Sequence, residues 1–240
     1  MKKILAIVLV MCLLCITAIG TTLSYFTDTD MDKNTMVVGN VKIEQVEQKR
    51  DENGDLVTLV ADSNNVTSLG KLYPYIGTVT TTDGWFDTAK NAVDKIVTVK
   101  NIGSEAAYIR TLFAFEAVDG QNPVGTKILV NYSDATVGKW DFMGSFAIEN
   151  DTTYYVYSFT YAAAVAGKET EEVVTAPSLK QIALNNNVGS EFATQIVGSY
   201  DILVLSQAVQ TQGFSGADVA LNTAFGEVNS TNALKWFTQN

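Results

Sequence analysis

Short runs of β-branched and aromatic residues, separated by turn formers, recur along most of the chain, and helical periodicity is scarce. Residues 37–46 read Val-Val-Gly-Asn-Val-Lys-Ile-Glu-Gln-Val, and their second half alternates apolar with polar as a strand with one wet face does. Asn53-Gly54 supplies a tight turn, and residues 56–60 are expected to return as the partner strand. Residues 96–100 are the next expected strand, closed by Asn101-Ile102-Gly103-Ser104, and 106–117 the one after. Alternation sets Ile96, Thr98 and Lys100 against Val97 and Val99. It likewise sets Tyr108, Arg110, Leu112, Ala114 and Glu116 against Ile109, Thr111, Phe113 and Phe115.

Further strands are predicted at 127–132, 140–148, 153–162 and 200–210, with turns or bulges at Asp119-Gly120, Gly138, Gly144 and Gly167. A short helix is expected at 216–225, capped by Ser215 and stopped by Gly226. Asp218 lies in its first turn, and Ala217, Ala220, Leu221, Ala224 and Phe225 make its buried stripe. Residues 180–187 fit a second short helix or a loop. The whole pattern predicts an all-β chain, a jelly-roll-like antiparallel β-sandwich with one or two short helices.

The first residues break this pattern. Lys2 and Lys3 precede an uncharged apolar run over residues 4–19, the layout of a secretory leader rather than of a folded element. Thr22-Leu23-Ser24 meets the small-x-small rule, so cleavage is expected between Ser24 and Tyr25. The expected organisation is a signal peptide over 1–24, an N-terminal segment over 25–40 and one β-sandwich domain over 41–240. No stable membrane anchor is expected after cleavage. Both cysteines, Cys12 and Cys15, fall in the leader, so the mature chain is expected to lack thiols and disulfides and to be held by its core alone. Neither cysteine follows a small residue, which argues against lipidation.

Charge and residue types then narrow the chemistry. The formal net charge is −10, and loss of Lys2 and Lys3 takes it to −12, which repels nucleic acid and anionic membrane surfaces. The chain has no histidine, hence no Ser-His-Asp, Cys-His or HExxH centre. It also has no GxxxxGK[ST] or GxGxxG loop, and no local pattern singles out two carboxylates for glycoside hydrolysis. No catalytic, cofactor-binding or metal-ligating residue is assigned, and an enzyme is not expected. Asp28, Asp30 and Asp32 alternate carboxylates as a calcium loop does, but Lys33 and Gly39 occupy the glycine and glutamate positions of an EF-hand. A solvated acidic segment is the plainer reading. The run from Asp51 to Asp55 reads as a wet hairpin tip. Trp85, Phe86, Trp140, Trp236 and the Tyr154-Tyr155-Val156-Tyr157 run suit either a strand core or a sugar-stacking platform, with core packing favoured.

The junction Thr22-Leu23-Ser24-Tyr25-Phe26-Thr27-Asp28, followed by Asn34-Thr35-Met36-Val37-Val38-Gly39-Asn40-Val41, resembles that of the TasA and camelysin proteins, whose leaders are cut by a SipW-type signal peptidase. Met36 stands where the family's N-T-F-like triplet has an aromatic residue. Val97-Thr98-Val99-Lys100-Asn101-Ile102-Gly103-Ser104 with Ala107-Tyr108-Ile109-Arg110 is similar to the family's V-x-V-K-N-x-G-S…A-Y-V-R stretch. Ala208-Val209-Gln210-Thr211-Gln212-Gly213-Phe214 ahead of Ala224-Phe225-Gly226 looks like its A-Q-x-x-G-F…A-F-G ending.

The resemblance implies an exported jelly-roll subunit of fibres in a biofilm matrix or on the cell surface, joined head-to-tail to itself by donor-strand exchange, with accessory matrix subunits as candidate partners. On that reading residues 25–36 are the donor strand, with Tyr25, Phe26 and Met36 as anchors. The alternatives are a camelysin-like cell-surface metalloprotease and a monomeric adhesin or carbohydrate-binding sandwich. The first has to contend with a chain lacking histidine, in which a zinc site would be built of carboxylates alone.

Overall fold

The computed structural model describes residues 27–30, 40–60, 72–82, 84–148, 152–168, 171–188, 200 and 202–238. Among the described residues thirteen strands run in chain order: β1 (Thr27–Asp30), β2 (Ile43–Arg50), β3 (Leu56–Thr58), β4 (Thr81–Thr82), β5 (Trp85–Phe86), β6 (Val93–Asn101), β7 (Ala107–Glu116), β8 (Ile128–Tyr132), β9 (Gly138–Ala147), β10 (Thr153–Tyr161), β11 (Val173–Val174), β12 (Leu179–Leu184) and β13 (Ile202–Gln210). Two helices follow, α1 (Ala217–Phe225) and α2 (Ser230–Thr238). One sheet has the order β1-β13-β7-β10-β9. The other has β3-β2-β6-β12-β8, with β11 also on β6, and β4 pairs with β5 alone.

The winding explains the sandwich. β9 and β10 form a hairpin in the first sheet, β8 meets β12 in the second, and β7 meets β13 back in the first, all antiparallel. A long hairpin has in effect been rolled so that successive strand pairs alternate between sheets, which is the jelly-roll principle. Between the sheets Ile43, Val97, Val99, Ile128, Leu179 and Ile182 meet Ile109, Phe113, Phe115, Phe159 and Ala208 in one buried cluster.

The central strands are buried on both faces. Leu112, Ala114, Tyr154, Val156 and Leu205, on the outer side of the first sheet, are covered by Ala233, Trp236 and Phe237 of α2. Val209 is covered by Ala220 and Leu221 of α1. On the outer side of the second sheet, Ala183 and Leu129 lie under Tyr75, Phe86 and Ala92.

Three expectations need correction. Residues 179–184 are strand β12, neither helix nor loop; being central, β12 is buried on both sides and shows no alternation to read. The second helix is α2, whose Ala233, Trp236 and Phe237 at helical spacing carry the signal, with the Asn229 side chain accepting from the Asn232 N–H at its start. Ser215 does not cap α1: Gly216 holds the cap position and makes no side-chain cap bond.

Candidate functional site: the sheet edge that carries the N-terminal strand

β1 lies along β13 as the outermost strand of its sheet, with Thr27 opposite Val209, Asp28 opposite Ala208, Thr29 opposite Gln207 and Asp30 opposite Ser206. Without β1, β13 would be an edge with a row of unpaired backbone groups. The inner side of this edge is not the bare apolar groove that a missing strand suggests. The Ser206 hydroxyl, opposite Asp30, donates to Gln45 Oε1 at 2.8 Å and lies 3.1 Å from the Thr111 hydroxyl. On the same face of neighbouring β2 and β6, Lys95 and Glu47 form an ion pair of 2.6 Å that is almost wholly buried. Ser24, Tyr25, Phe26, Asp32 and Met36 lie outside the described residues, so the expected anchors have no geometry to report. Asp28 and Asp30 belong to β1.

Behind this edge the stretches quoted above from the middle and the end of the chain come together on one side chain. Arg110 of β7 is 4 % exposed. It donates through Nε to Gln207 Oε1 at 2.7 Å, through one terminal nitrogen to Asn222 Oδ1 at 2.8 Å and through the other to the Gly226 carbonyl at 3.2 Å. Its guanidinium carbon stands 5.3 Å from the centre of the Trp236 ring. Burial lowers its pKa to about 10, against the pull of Asp218, so it stays charged at neutral pH. One cation thus ties β7 and β13 to α1 and α2, and it holds the helices over the strand that carries β1.

The corner between β6 and β7 is built on Asn101, which is fully buried. Its amide nitrogen donates to the carbonyls of Glu105 (2.9 Å), Val165 (3.2 Å) and Ala166 (3.1 Å), and its oxygen accepts from the Gly103 N–H at 3.0 Å. Gly103 is required here because a Cβ would stand 2.2 Å from the Asn40 carbonyl oxygen and 2.6 Å from the Lys42 nitrogen. The Lys-Asn-Ile-Gly stretch is therefore a clamp between the crossover and the chain entering β2.

An open cavity of about 460 Å³ lies at the β2–β3 hairpin, lined by Lys49, Arg50, Asp51, Leu59, Thr88 and Asp94 among others. Arg50 and Asp94 form a bidentate pair, both bonds 2.7 Å, and Arg50 lies 4.2 Å from the Trp85 ring centre. Burial pushes the Asp94 carboxyl up, but Arg50's side chain and N–H, with the Gln181 amide, hold it below the usual carboxylate range. A folded value below the unfolded one means a stabilisation that is full above the unfolded pKa of about 4 and fades as pH falls through the folded value. Asp94→Asn is expected to cost about 3 kcal/mol at pH 7 and much less near pH 2, read by urea unfolding at both pH values. In the hairpin tip Asp51 Oδ1 accepts from the Asn53 and Asp55 N–H groups at 2.8 and 3.0 Å, so the acidic run is a turn that caps itself. Among the described residues no three acidic side chains gather as a metal-ligand set, and no helix is long and apolar enough to cross a membrane.

The aromatic residues divide. Phe86, Tyr154 and Trp236 are buried in core clusters, Trp85 lies under Arg50 and Lys180, and Trp140 and Tyr155 are half-buried at the rim between the sheets. Sequence reasoning missed two aromatic residues at that rim, Tyr132 and Phe142, because nothing local separates a strand-end aromatic residue that is covered from one that is not. Comparison with protein-family models, curated proteins and solved structures finds no match for this chain.

Proposed function

We propose that this chain is a secreted structural subunit of extracellular fibres, in a biofilm matrix or on the cell surface, and that it assembles by exchange of its N-terminal strand after leader removal. One observation supports the reading above the others: a four-residue strand at the start of the described chain completes the edge of a sheet whose other members are all drawn from residues 107–210. Residues 31–42 join it to β2, and their extended reach is up to about 40 Å. The same backbone pairing can therefore be made with β13 of a neighbour, in the same register. An exchange that does not close on itself propagates as a filament. A cut after Ser24 leaves β1 two residues from the new N-terminus, where nothing upstream would hinder its passage to the next subunit.

The test is negative-stain microscopy of two purified forms, one beginning at Tyr25 and one beginning at Asn40. Only the longer form is expected to make filaments, and a synthetic peptide of residues 25–36 is expected to bind the shorter form and raise its melting temperature. If neither form polymerises, alone or with co-secreted proteins, the fibre reading fails and a monomeric surface role replaces it.

A further inference from the structure

The far side of the sandwich, where β9 and β8 are the edges of the two sheets, carries a row of aromatic rings of which Tyr132 and Phe142 are exposed. Tyr132 of β8, 42 % exposed, stacks on Trp140 of β9 with centres 4.8 Å apart and planes 6° apart. Trp140 in turn stacks on Tyr157 at 5.4 Å and 24°. Phe142, 53 % exposed, stands 5.1 Å from Tyr157 and 6.2 Å from Tyr155. These rings line the opening between the sheets, on the side facing the core. Leaving them wet forgoes burial that a polar residue at a strand edge would not need, and such a patch marks a binding surface.

Two features say what does not cover it. The β9–β10 pairing slips between Val156, opposite Gly144, and Tyr157, opposite Phe142, so Met143 bulges out of the ladder. Gly144 has φ 137°. A kinked edge with the exposed Lys139–Asp141 ion pair (2.8 Å) beside it is poorly shaped for another strand to join. Two further features say what does. The ring surface left open on Tyr132 and Phe142, with hydroxyl and amide groups at its margin, suits the C–H face and hydroxyls of a pyranose. The Tyr155 hydroxyl sits on the Gly120 carbonyl at 3.0 Å, and Asn122 donates to the Tyr157 hydroxyl at 2.7 Å. Each flanking turn carries an exposed acid: Asp119 precedes Gly120 at one end, and at the other Asp134, two residues after Tyr132, accepts from Thr136 through one oxygen and feels Lys180. A chain of net charge −10 adds to that field.

We propose that this aromatic strip binds an amino-sugar polymer, with sugar rings stacked on the exposed surfaces of Tyr132 and Phe142, Trp140 backing Tyr132, and ammonium groups attracted by the ring faces and by Asp119 and Asp134. The site is remote from β1 and stands whether or not the chain forms fibres. The test is titration of the chain from residue 25 onward with a β-1,4-linked glucosamine hexamer and, in parallel, a cellohexaose of the same linkage. Calorimetry and the NMR shift of the Trp140 indole N–H report binding. The glucosamine hexamer is expected to bind about fivefold or more tighter than the neutral one, a preference lost in high salt. Phe142→Ser and Tyr132→Ser, both at exposed positions, are each expected to weaken binding about tenfold with the melting temperature little changed. Equal affinity for the two hexamers overturns the amino-sugar assignment. Failure of both to bind, or binding that survives both serine substitutions, overturns the site.

Discussion

Arg110→Met is expected to destabilise the fold by about 3 kcal/mol and to lower the melting temperature by about 10 °C. The estimate weighs two opposed effects. Methionine relieves the cost of burying a guanidinium that has no carboxylate in contact among the described residues, and a well-packed apolar replacement of a buried charge is often neutral. The acceptors decide the outcome. Gln207 Oε1, Asn222 Oδ1 and the Gly226 carbonyl all lose this donor, and the buried Gln207 amide nitrogen has no partner among the described residues. Gln207 is fully buried and its oxygen is left dry, whereas Asn222 is exposed and Gly226 half-buried and both can turn to water, so the cost comes from the one dry acceptor together with the lost tie between β7 and α1. Hydrogen exchange should locate the damage. Protection is expected to fall first over residues 217–238, because Arg110 adds a polar tie to the apolar contacts that hold the helices on the sheet, and only then in β7 and β13. Uniform loss of protection across both sheets would show that Arg110 supports the core at large rather than the helical cover.

Asn101→Ala is expected to cost a similar amount, about 3–4 kcal/mol, through the opposite kind of damage. No charge is involved. Four bonds to the backbone go at once: the carbonyls of Glu105 and Ala166 lose their donor, while the Val165 carbonyl keeps the Ala107 N–H and the Gly103 N–H keeps the Lys42 carbonyl. Asn101→Asp separates this explanation from simple loss of volume. Aspartate keeps the size and the acceptor, but at neutral pH it sets a carboxylate against three carbonyl oxygens, so it is expected to be at least as damaging as alanine. Urea unfolding of the two variants checks this. An aspartate variant close to wild type at pH 7 would mean that the amide donors carry little of the corner's stability.

Asn101 and Arg110 also show how much was legible in the chain. Both stand in a stretch that drew attention as a motif, and the strand on either side of the turn could be placed from alternation and turn formers. What the motif is for was not legible. The partners of Asn101 include residues 64 and 65 positions away, and those of Arg110 lie 97 to 116 positions away. A side chain's distant acceptors leave no mark on local sequence. The same reason hid β12, whose two buried faces erase alternation. It also hid the exposure of Tyr132 and Phe142, which depends on the absence of a neighbouring strand and not on anything the two residues carry.

The site divides in the same way. The acidic, threonine-rich stretch at Thr27 to Asp30 could be singled out beforehand, but as the start of a longer donor segment; that it pairs with β13, residue by residue, came from the fold. The polar lining of that edge, Gln45, Ser206, Thr111 and the Lys95–Glu47 pair, comes from four different strands.

By itself the sequence determined the local physics of this protein: mostly strand, few helices, no histidine, a strongly acidic charge and a leader-like start. Periodicity, turn chemistry and residue type act over a few neighbours and can be read there. Only the tertiary structure decided which strands share a sheet and which edge holds the N-terminal strand. It also decided which of the many aromatic and polar residues are buried together and which face water. Those outcomes depend on pairings across a hundred residues or more, where the energy of a contact is set by what the rest of the fold brings alongside it.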